Sequence, residues 1–170
     1  LILSSRSLVE IEPNYTYATA RILLDSLRTE ALSFLKVKDN ATFAEMKSLY
    51  GTSLGAFIDK AISLELIDPE LRKMDLEFLG SQIKPERDLL FSYLGLQTLY
   101  DRYFIHSDEV RFELPQVFFM RVAMGLAIAE DNREERAVEF YNLLSSFDYM
   151  SSTPTLFNAG TPHSQLSSCC

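Results

Sequence analysis

The two cysteines of the chain, Cys169 and Cys170, stand side by side and are its most reactive side chains. A thiolate acts as a nucleophile, a metal ligand or a redox group, so the pair allows several kinds of chemistry. A metal site needs further ligands at suitable spacing, and a lipid attachment site is disfavoured because no basic run precedes the pair. Two interpretations stay open: a redox thiol whose partner lies elsewhere, or two small residues without a chemical role.

A stretch of small and hydroxyl-bearing residues, 151–168, precedes the cysteines. Thr153, Ser167 and Ser168 offer hydroxyl groups, and Gly160 allows a backbone or a ligand to come close. Short polar side chains together with free backbone amides hold phosphate groups without much positive charge. Because the stretch has no helical period, we predict a strand or a loop over these residues.

The histidines, the charge and the hydropathy exclude several function classes. His106 and His163 have no candidate nucleophile with an acidic partner nearby in sequence, so we predict a turn residue and a polar loop residue. The net charge of -8 and the pI of about 4.8 argue against a nucleic-acid binder that works by bulk charge. No apolar run approaches the roughly 20 residues of a membrane span. Two adjacent cysteines are no disulfide framework, so we expect a reducing, cytoplasmic setting.

Helical periodicity dominates the residues that must position this stretch, and a hydrophobic fraction of 47% suffices for a core. Apolar steps of three and four residues predict helices over 15–34, 94–103, 115–130 and 133–147. A helix from Thr42 is predicted to end at Gly51, and a second to run over 54–62. Asp68 before a proline predicts a helix start, and 103–112 predicts a short hairpin.

Four segments carry a specific pattern, in order along the chain. They are EPNYTYATARILLDSLRTEAL (12–32), RDLLFSYLGLQTLYDRYFI (87–105), RFELPQVFFMRVAMGLA (111–127) and SSTPTLFNAGTPHSQLSSC (151–169). This pattern resembles the large, catalytic subunit of class I ribonucleotide reductases, over essentially the whole chain. The resemblance implies a mostly α fold, in which a helical N-terminal domain leads into the first strand of a ten-stranded α/β barrel.

The resemblance also implies a division of the chain. Residues 1–14 correspond to the truncated end of an ATP-cone-like region, and 15–150 to the helical N-terminal domain. Residues 151–170 correspond to the start of the catalytic barrel, with the substrate loop and the first redox cysteine. The chain is then a piece of the subunit. Its end at Cys170 would reflect a truncated record, a split gene or an inserted element that begins with this cysteine.

The chemistry that the resemblance implies is the reduction of ribonucleoside diphosphates to 2′-deoxyribonucleoside diphosphates, by a thiyl-radical mechanism, for DNA synthesis. Cys169 corresponds to the first cysteine of the redox pair, whose partner lies beyond this chain. Thr153 and Ser168 correspond to residues that contact the substrate near its phosphates. The thiyl-forming cysteine lies later in the barrel, so this chain alone is expected to be inactive.

The implied partners belong to the complete enzyme. A radical-generating metal cluster resides in the small (beta) subunit, a thioredoxin or glutaredoxin-type protein serves as reductant, and the large subunit forms a homodimer. ATP, dATP and other nucleotides act as allosteric effectors. We expect no cofactor or metal bound by this chain, and no nucleic-acid or membrane partner. The alternative is a non-catalytic helical interaction module with a disordered tail, although such a tail has no reason to carry the pattern of residues 151–169.

Overall fold

The computed structural model describes residues 2, 4, 7–9 and 12–167. This part of the chain is mostly helical with a small two-stranded sheet, which confirms the predicted α class. The helices are α1 Tyr15–Phe34, α2 Phe43–Ser63, α3 Leu76–Ser81, α4 Tyr93–Arg102, α5 Pro115–Ala127, α6 Arg133–Ser145 and α7 Thr153–Asn158. Short 3-10 helices occupy Pro69–Lys73 and Pro85–Leu90, and the strands are β1 His106–Ser107 and β2 Val110–Arg111.

Helix α1 has the bounds that the periodicity predicts. Its buried apolar side chains are Ala20, Leu23, Leu24, Leu27, Ala31 and Leu32. These residues form one stripe, because steps of three and four return to the same side of a helix. The stripe packs against α4 and β2, and the ring of Phe34 stacks on Phe112 with centroids 4.9 Å apart.

Helix α2 corrects one prediction, because it continues through Gly51 to Ser63 without a break. It begins at a capping box, in which the Thr42 side chain accepts the Glu45 backbone N–H and Glu45 accepts the Thr42 backbone N–H. Gly51 lies where the backbone of α3 comes close to α2, and the residue that allows this approach is Gly80. A Cβ on Gly80 of α3 would stand 2.8 Å from the Gly51 Cα, so the two backbones touch.

Helices α5 and α6 form the centre of the fold. They pack against each other more extensively than any other pair, and nearly every residue of α5 is buried. Pro115 fills the first turn of α5, where no backbone N–H is needed. Both helices end two or three residues before their predicted ends. Phe147, with φ of 63°, lies just after α6 in the left-handed region that terminates helices.

The turn signals are confirmed with small changes in extent. The Asp68 side chain accepts the Glu70 backbone N–H at 2.8 Å, so Asp68 caps a helix start, although the element is a short 3-10 helix. Helix α4 lies within one residue of its predicted bounds. The predicted hairpin forms as an antiparallel pair in which His106 lies opposite Arg111.

The prediction of a strand or loop from residue 151 is wrong over 153–158, where the chain forms α7. Ser152 stands in extended conformation at the N-cap position, and Pro154 presets the backbone of the first turn. Six residues are too few to show a helical period, which explains the error. Within 159–167 no helix or strand is assigned, in agreement with a loop.

Candidate functional site

Helix α7 and the turn after it, residues 153–160, form a segment that lies against α5, and this docked segment carries the predicted substrate residue Thr153. Thr153 is exposed in the first turn of α7. Its hydroxyl lies 3.1 Å from the Tyr103 hydroxyl, and the Tyr103 ring lies 5.1 Å from the ring of Phe157. One tyrosine therefore contacts both ends of α7, and Thr153 keeps an open side toward solvent.

The far end of the docked segment is held by Arg121, a fully buried residue of α5. Its Nη1 donates to the carbonyl of Ala159 at 2.7 Å and approaches that of Leu156 at 3.5 Å. The carbonyls at the end of a helix have no partner within the helix. Arg121 thus supplies donors where α7 leaves acceptors free.

Glu113 holds the Arg121 guanidinium in place. The Arg121 Nε donates to Glu113 Oε1 at 2.7 Å and Nη2 to Oε2 at 3.3 Å, which is a two-pronged ion pair without solvent contact. The Ile105 backbone N–H donates to the same carboxylate at 2.8 Å. A buried ion pair is tolerated only when its remaining hydrogen-bonding groups are satisfied, and here they are satisfied by Ile105 and by the docked segment.

The docked segment also touches α5 through two glycines. A Cβ on Gly125 would stand 2.1 Å from the Gly160 backbone nitrogen and 2.5 Å from the Ala159 carbonyl carbon. Gly160 itself has φ of +75°, a conformation that favours glycine. Its carbonyl accepts the Asp68 backbone N–H at 2.9 Å. The segment is therefore fixed between α5 and the start of the first 3-10 helix.

Residues 161–167 fold back along α7 through side-chain hydrogen bonds. The Thr155 hydroxyl donates to the Leu166 carbonyl at 3.0 Å, and the Asn158 amide donates to the Gln165 carbonyl at 2.8 Å. These bonds direct the chain that leads to the cysteines. Leu156 and Ala159 of the docked segment are buried, so this segment is part of the packed body.

A cavity of about 440 Å³ lies beside the docked segment. Its lining is mostly apolar and comprises Leu126, Phe140, Leu143, Leu144, Tyr149, Ser151 and Thr155. Further apolar side chains near it in sequence, Phe147, Met150 and Phe157, are also exposed. The side of the fold next to α7 therefore carries several exposed apolar side chains.

The predicted site residues have different outcomes. Thr153 lies on the docked segment, whereas Ser168, Cys169 and Cys170 lie outside the described residues. His106 is exposed in the hairpin, where its Nδ1 lies 3.0 Å from the Asp108 carbonyl, and His163 is an exposed loop residue. Both histidines agree with the predicted turn and loop roles.

Sequence reasoning missed the residues that hold the docked segment. A charged residue inside the apolar run FFMRVAMGLA was a usable signal, since a buried arginine needs acceptors. Glu113 lies only eight positions earlier, two residues before the start of α5. The contacts of Arg121 with Ala159, and of Gly125 with Gly160, join distant parts of the chain and leave no local trace in the sequence.

A second buried polar cluster surrounds Asp88, which accepts hydrogen bonds from Tyr50 at 2.7 Å and from Gln116 at 2.9 Å. Arg28 lies 3.4 Å from the same carboxylate. Burial raises the pKa of Asp88 and outweighs the lowering by these three donors. The Gln116 carbonyl oxygen in turn accepts from the Tyr141 hydroxyl at 2.8 Å. This cluster joins α1, α2, α5 and α6, because its side chains form hydrogen bonds and an ion pair with one another.

Two further features concern only the part of the chain that the structure describes. No group of three or more histidine, cysteine or acidic side chains there is arranged to hold a metal ion. No described helix is long and apolar enough to cross a bilayer.

Much of the mostly helical body, with the segment docked on α5, falls within a region that matches a known family. Residues 89–164, which include α4, α5, α6 and the docked segment, match the family model described as "Ribonucleotide reductase, all-alpha domain". The chain belongs to the ribonucleotide reductase family, and the relatives specify which subunit.

The relatives are large subunits. The chain is 45% identical over 169 residues to the "Ribonucleoside-diphosphate reductase subunit alpha" of Chlamydia muridarum, which covers 99% of this chain. It is 41% identical over 158 residues to the protein of that name from Helicobacter pylori, covering 92% of the chain. It is 34% identical over 157 residues to the "Ribonucleoside-diphosphate reductase large chain" of Neurospora crassa, also covering 92%. The chain spans 16%, 18% and 16% of the lengths of these relatives.

Proposed function

We propose that this chain is the helical domain of a ribonucleoside-diphosphate reductase large subunit, together with the start of its substrate site. The complete protein reduces ribonucleoside diphosphates to the 2′-deoxy products. In the proposed division, 1–14 end an ATP-cone-like region, 15–150 form the helical domain, and 151–170 lead into a ten-stranded α/β barrel. The observation that carries the proposal is Thr153, which is exposed on a segment that Arg121 fixes to α5, within the region that matches the family model.

The proposed chemistry assigns one role to each site residue. Thr153 and Ser168 donate hydroxyl hydrogen bonds near the substrate phosphates, where short donors and amides suit an anion. Cys169 is one thiol of a pair that supplies two electrons and two protons. The 2′ hydroxyl leaves as water, the 2′ carbon gains hydrogen, and the two thiols become a disulfide. The second thiol and the thiyl-forming cysteine belong to the remainder of the large subunit.

The complete enzyme requires partners that the proposal takes from the resemblance and from the subunit names of the relatives. A small beta subunit carries the radical-generating metal cluster, and a thioredoxin or glutaredoxin-type protein reduces the disulfide after each turnover. The large subunit is a homodimer in the cytoplasm. ATP, dATP and other nucleotides are its effectors.

The test uses the complete large subunit that contains this chain, with its beta subunit, a dithiol reductant and a ribonucleoside diphosphate. We expect deoxynucleotide formation over many turnovers in the parent protein and none above background in Cys169→Ser. The neighbouring variant Cys170→Ser is the matched control. It replaces the cysteine sulfur by oxygen at the next position and should retain turnover.

Two results would contradict the proposal. Full multi-turnover reduction by Cys169→Ser would remove the assigned redox role. A complete parent protein that neither binds nor reduces nucleoside diphosphates would remove the function as a whole and favour the helical interaction module. The isolated residues 1–170 should show no reduction, because the thiyl-forming cysteine and the second thiol of the redox pair belong to the remainder of the large subunit.

A further inference from the structure

We infer that Gly125 and Arg121 of α5 are positioning residues for the substrate, because together they set the place of the Thr153 hydroxyl. This inference rests on the proposed function, which makes the diphosphate group of a nucleotide the partner of Thr153. Neither residue contacts the substrate. They act through α7, at the end opposite to Thr153.

The first argument is the number of fixed contacts at the end of α7. Arg121 donates to the Ala159 carbonyl at 2.7 Å, and its guanidinium cannot turn away because Glu113 accepts from two of its nitrogens. Arg121 and Glu113 are both fully buried. A planar guanidinium with several partners in fixed directions defines orientation as well as distance.

The second argument is the direct backbone contact at Gly125. The docked segment approaches α5 so closely that any side chain at this position would overlap the Gly160 nitrogen and the Ala159 carbonyl carbon. Both of these neighbours are backbone atoms, which cannot move aside as a flexible side chain does. The identity of residue 125 therefore sets the distance between α5 and the docked segment.

The third argument is the short, stiff connection to Thr153. Helix α7 joins Thr153 to the anchored end in six residues, and its Ala159 cap N–H donates to the Thr155 carbonyl at 3.0 Å. Tyr103 contacts Thr153 through its hydroxyl and Phe157 through its ring. A displacement of the anchored end is thus transmitted to Thr153, since one helix moves as one body.

The experiment compares Gly125→Ala with Gly55→Ala in the complete large subunit, assayed with the beta subunit, a dithiol reductant and a ribonucleoside diphosphate. Both glycines lie inside helices and are partly buried, and both gain helix propensity from alanine. A Cβ on Gly55 meets nothing within 4 Å, whereas a Cβ on Gly125 displaces the docked segment. The two variants therefore differ in the backbone contact.

The expected result for Gly125→Ala is a loss in kcat/KM on the order of 10²-fold, expressed mainly as a higher KM. The reason is that Thr153 contributes to substrate binding. Gly55→Ala should keep the parent kcat and KM. A purely structural role for Gly125 gives another pattern, in which fewer molecules are active, so that kcat falls while KM stays unchanged.

The second variant, Arg121→Lys, guards against a failure of Gly125→Ala to fold. Lysine keeps a positive charge beside Glu113, but it lacks the planar guanidinium that donates to the carboxylate and to the Ala159 carbonyl in fixed directions. We expect a raised KM for this variant as well. An unchanged KM in both variants, with a parent enzyme that binds and reduces nucleoside diphosphates, overturns the inference and leaves the proposed function intact. A parent enzyme that neither binds nor reduces nucleoside diphosphates would contradict both the inference and the proposed function.

Discussion

The Tyr50 hydroxyl donates a 2.7 Å hydrogen bond to the Asp88 carboxylate, and both residues are almost completely buried. This bond joins α2 to the 3-10 helix Pro85–Leu90, at a point where Gln116 of α5 also donates. Burial raises the pKa of Tyr50 well above its ordinary value, with the Asp88 charge as a further cause, so the phenol stays a donor. The cluster ties together elements that are distant in sequence.

Replacing Tyr50 with phenylalanine should lower the free energy of unfolding by about 1–3 kcal/mol, because Asp88 loses a donor that no water replaces. Urea unfolding followed by circular dichroism measures the change. Tyr17→Phe is the matched control, since Tyr17 is 46% exposed and should differ from the parent by less than about 0.5 kcal/mol. Equal stability of Tyr50→Phe and the parent would show that the bond contributes nothing.

The contact between Gly51 and Gly80 predicts opposite effects for the same substitution. Gly80→Ala should destabilise the protein by about 1–3 kcal/mol, because its Cβ would stand 2.8 Å from the Gly51 Cα. Gly51→Ala should stabilise it by up to about 1 kcal/mol, because its Cβ meets the nearest atom at 3.6 Å and alanine favours the helix. Thermal unfolding of both variants provides the comparison, and a shift of the same sign in both would refute the packing argument.

The capping box of α2 should make stability depend on acidic pH. The Lys38 side chain and the Thr42 backbone and hydroxyl groups lower the pKa of Glu45 from 4.5 to about 2. Because the pKa of Glu45 is lower in the folded protein, its ionised form stabilises the fold at pH values above the ordinary pKa of 4.5. This contribution is lost as pH falls from 4.5 toward 2. Denaturant midpoints between these pH values should fall more steeply for the parent than for Glu45→Gln, and parallel curves would count against the assignment.

An alkaline transition is expected from Tyr141. Burial raises the pKa of its phenol from 10.0 to about 12, and its hydroxyl donates to Gln116 and accepts the Lys84 backbone N–H at 2.9 Å. Because the pKa of Tyr141 is higher in the folded protein, its neutral phenol stabilises the fold at pH values below the ordinary pKa of 10.0. This contribution is lost as pH rises from 10.0 to about 12. Tyr141→Phe should be less stable than the parent at neutral pH, and its free energy of unfolding should change less with pH over this range. Ultraviolet titration of the phenolates, with stability measured in parallel, tests this prediction. The same slope of stability against pH in the variant and the parent would contradict the role of Tyr141.

The helical body is largely predictable from sequence because its signals are local. The bounds of α1 follow from a long amphipathic period, and Asp68 before Pro69 marks a helix start by side-chain chemistry alone. Gly51 misled the prediction for a physical reason. A glycine beside a close backbone contact looks the same in sequence as one that ends a helix, and Gly80, which makes that contact possible, lies in another element.

The candidate site is less predictable, because contacts between distant residues form it. Thr153 can be named from the resemblance of its segment, yet nothing local indicates that this segment is a short helix. Arg121 is conspicuous as a charge within an apolar run, but its partners Ala159 and Leu156 become evident only once the chain is folded. The redox assignment of Cys169 stays a prediction.

The hydrogen bond from the Asp68 backbone N–H to the Gly160 carbonyl has a consequence for the order of folding. It joins residues far apart in sequence, and closing a long loop costs conformational entropy until other contacts offset that cost. Because its acceptor is seated on α5 beside Gly125, the bond can form only after α5 and the 3-10 helix have packed. The turn at Gly160 should therefore acquire its native structure late, and it should be the first part of the helical body to open under mild denaturation.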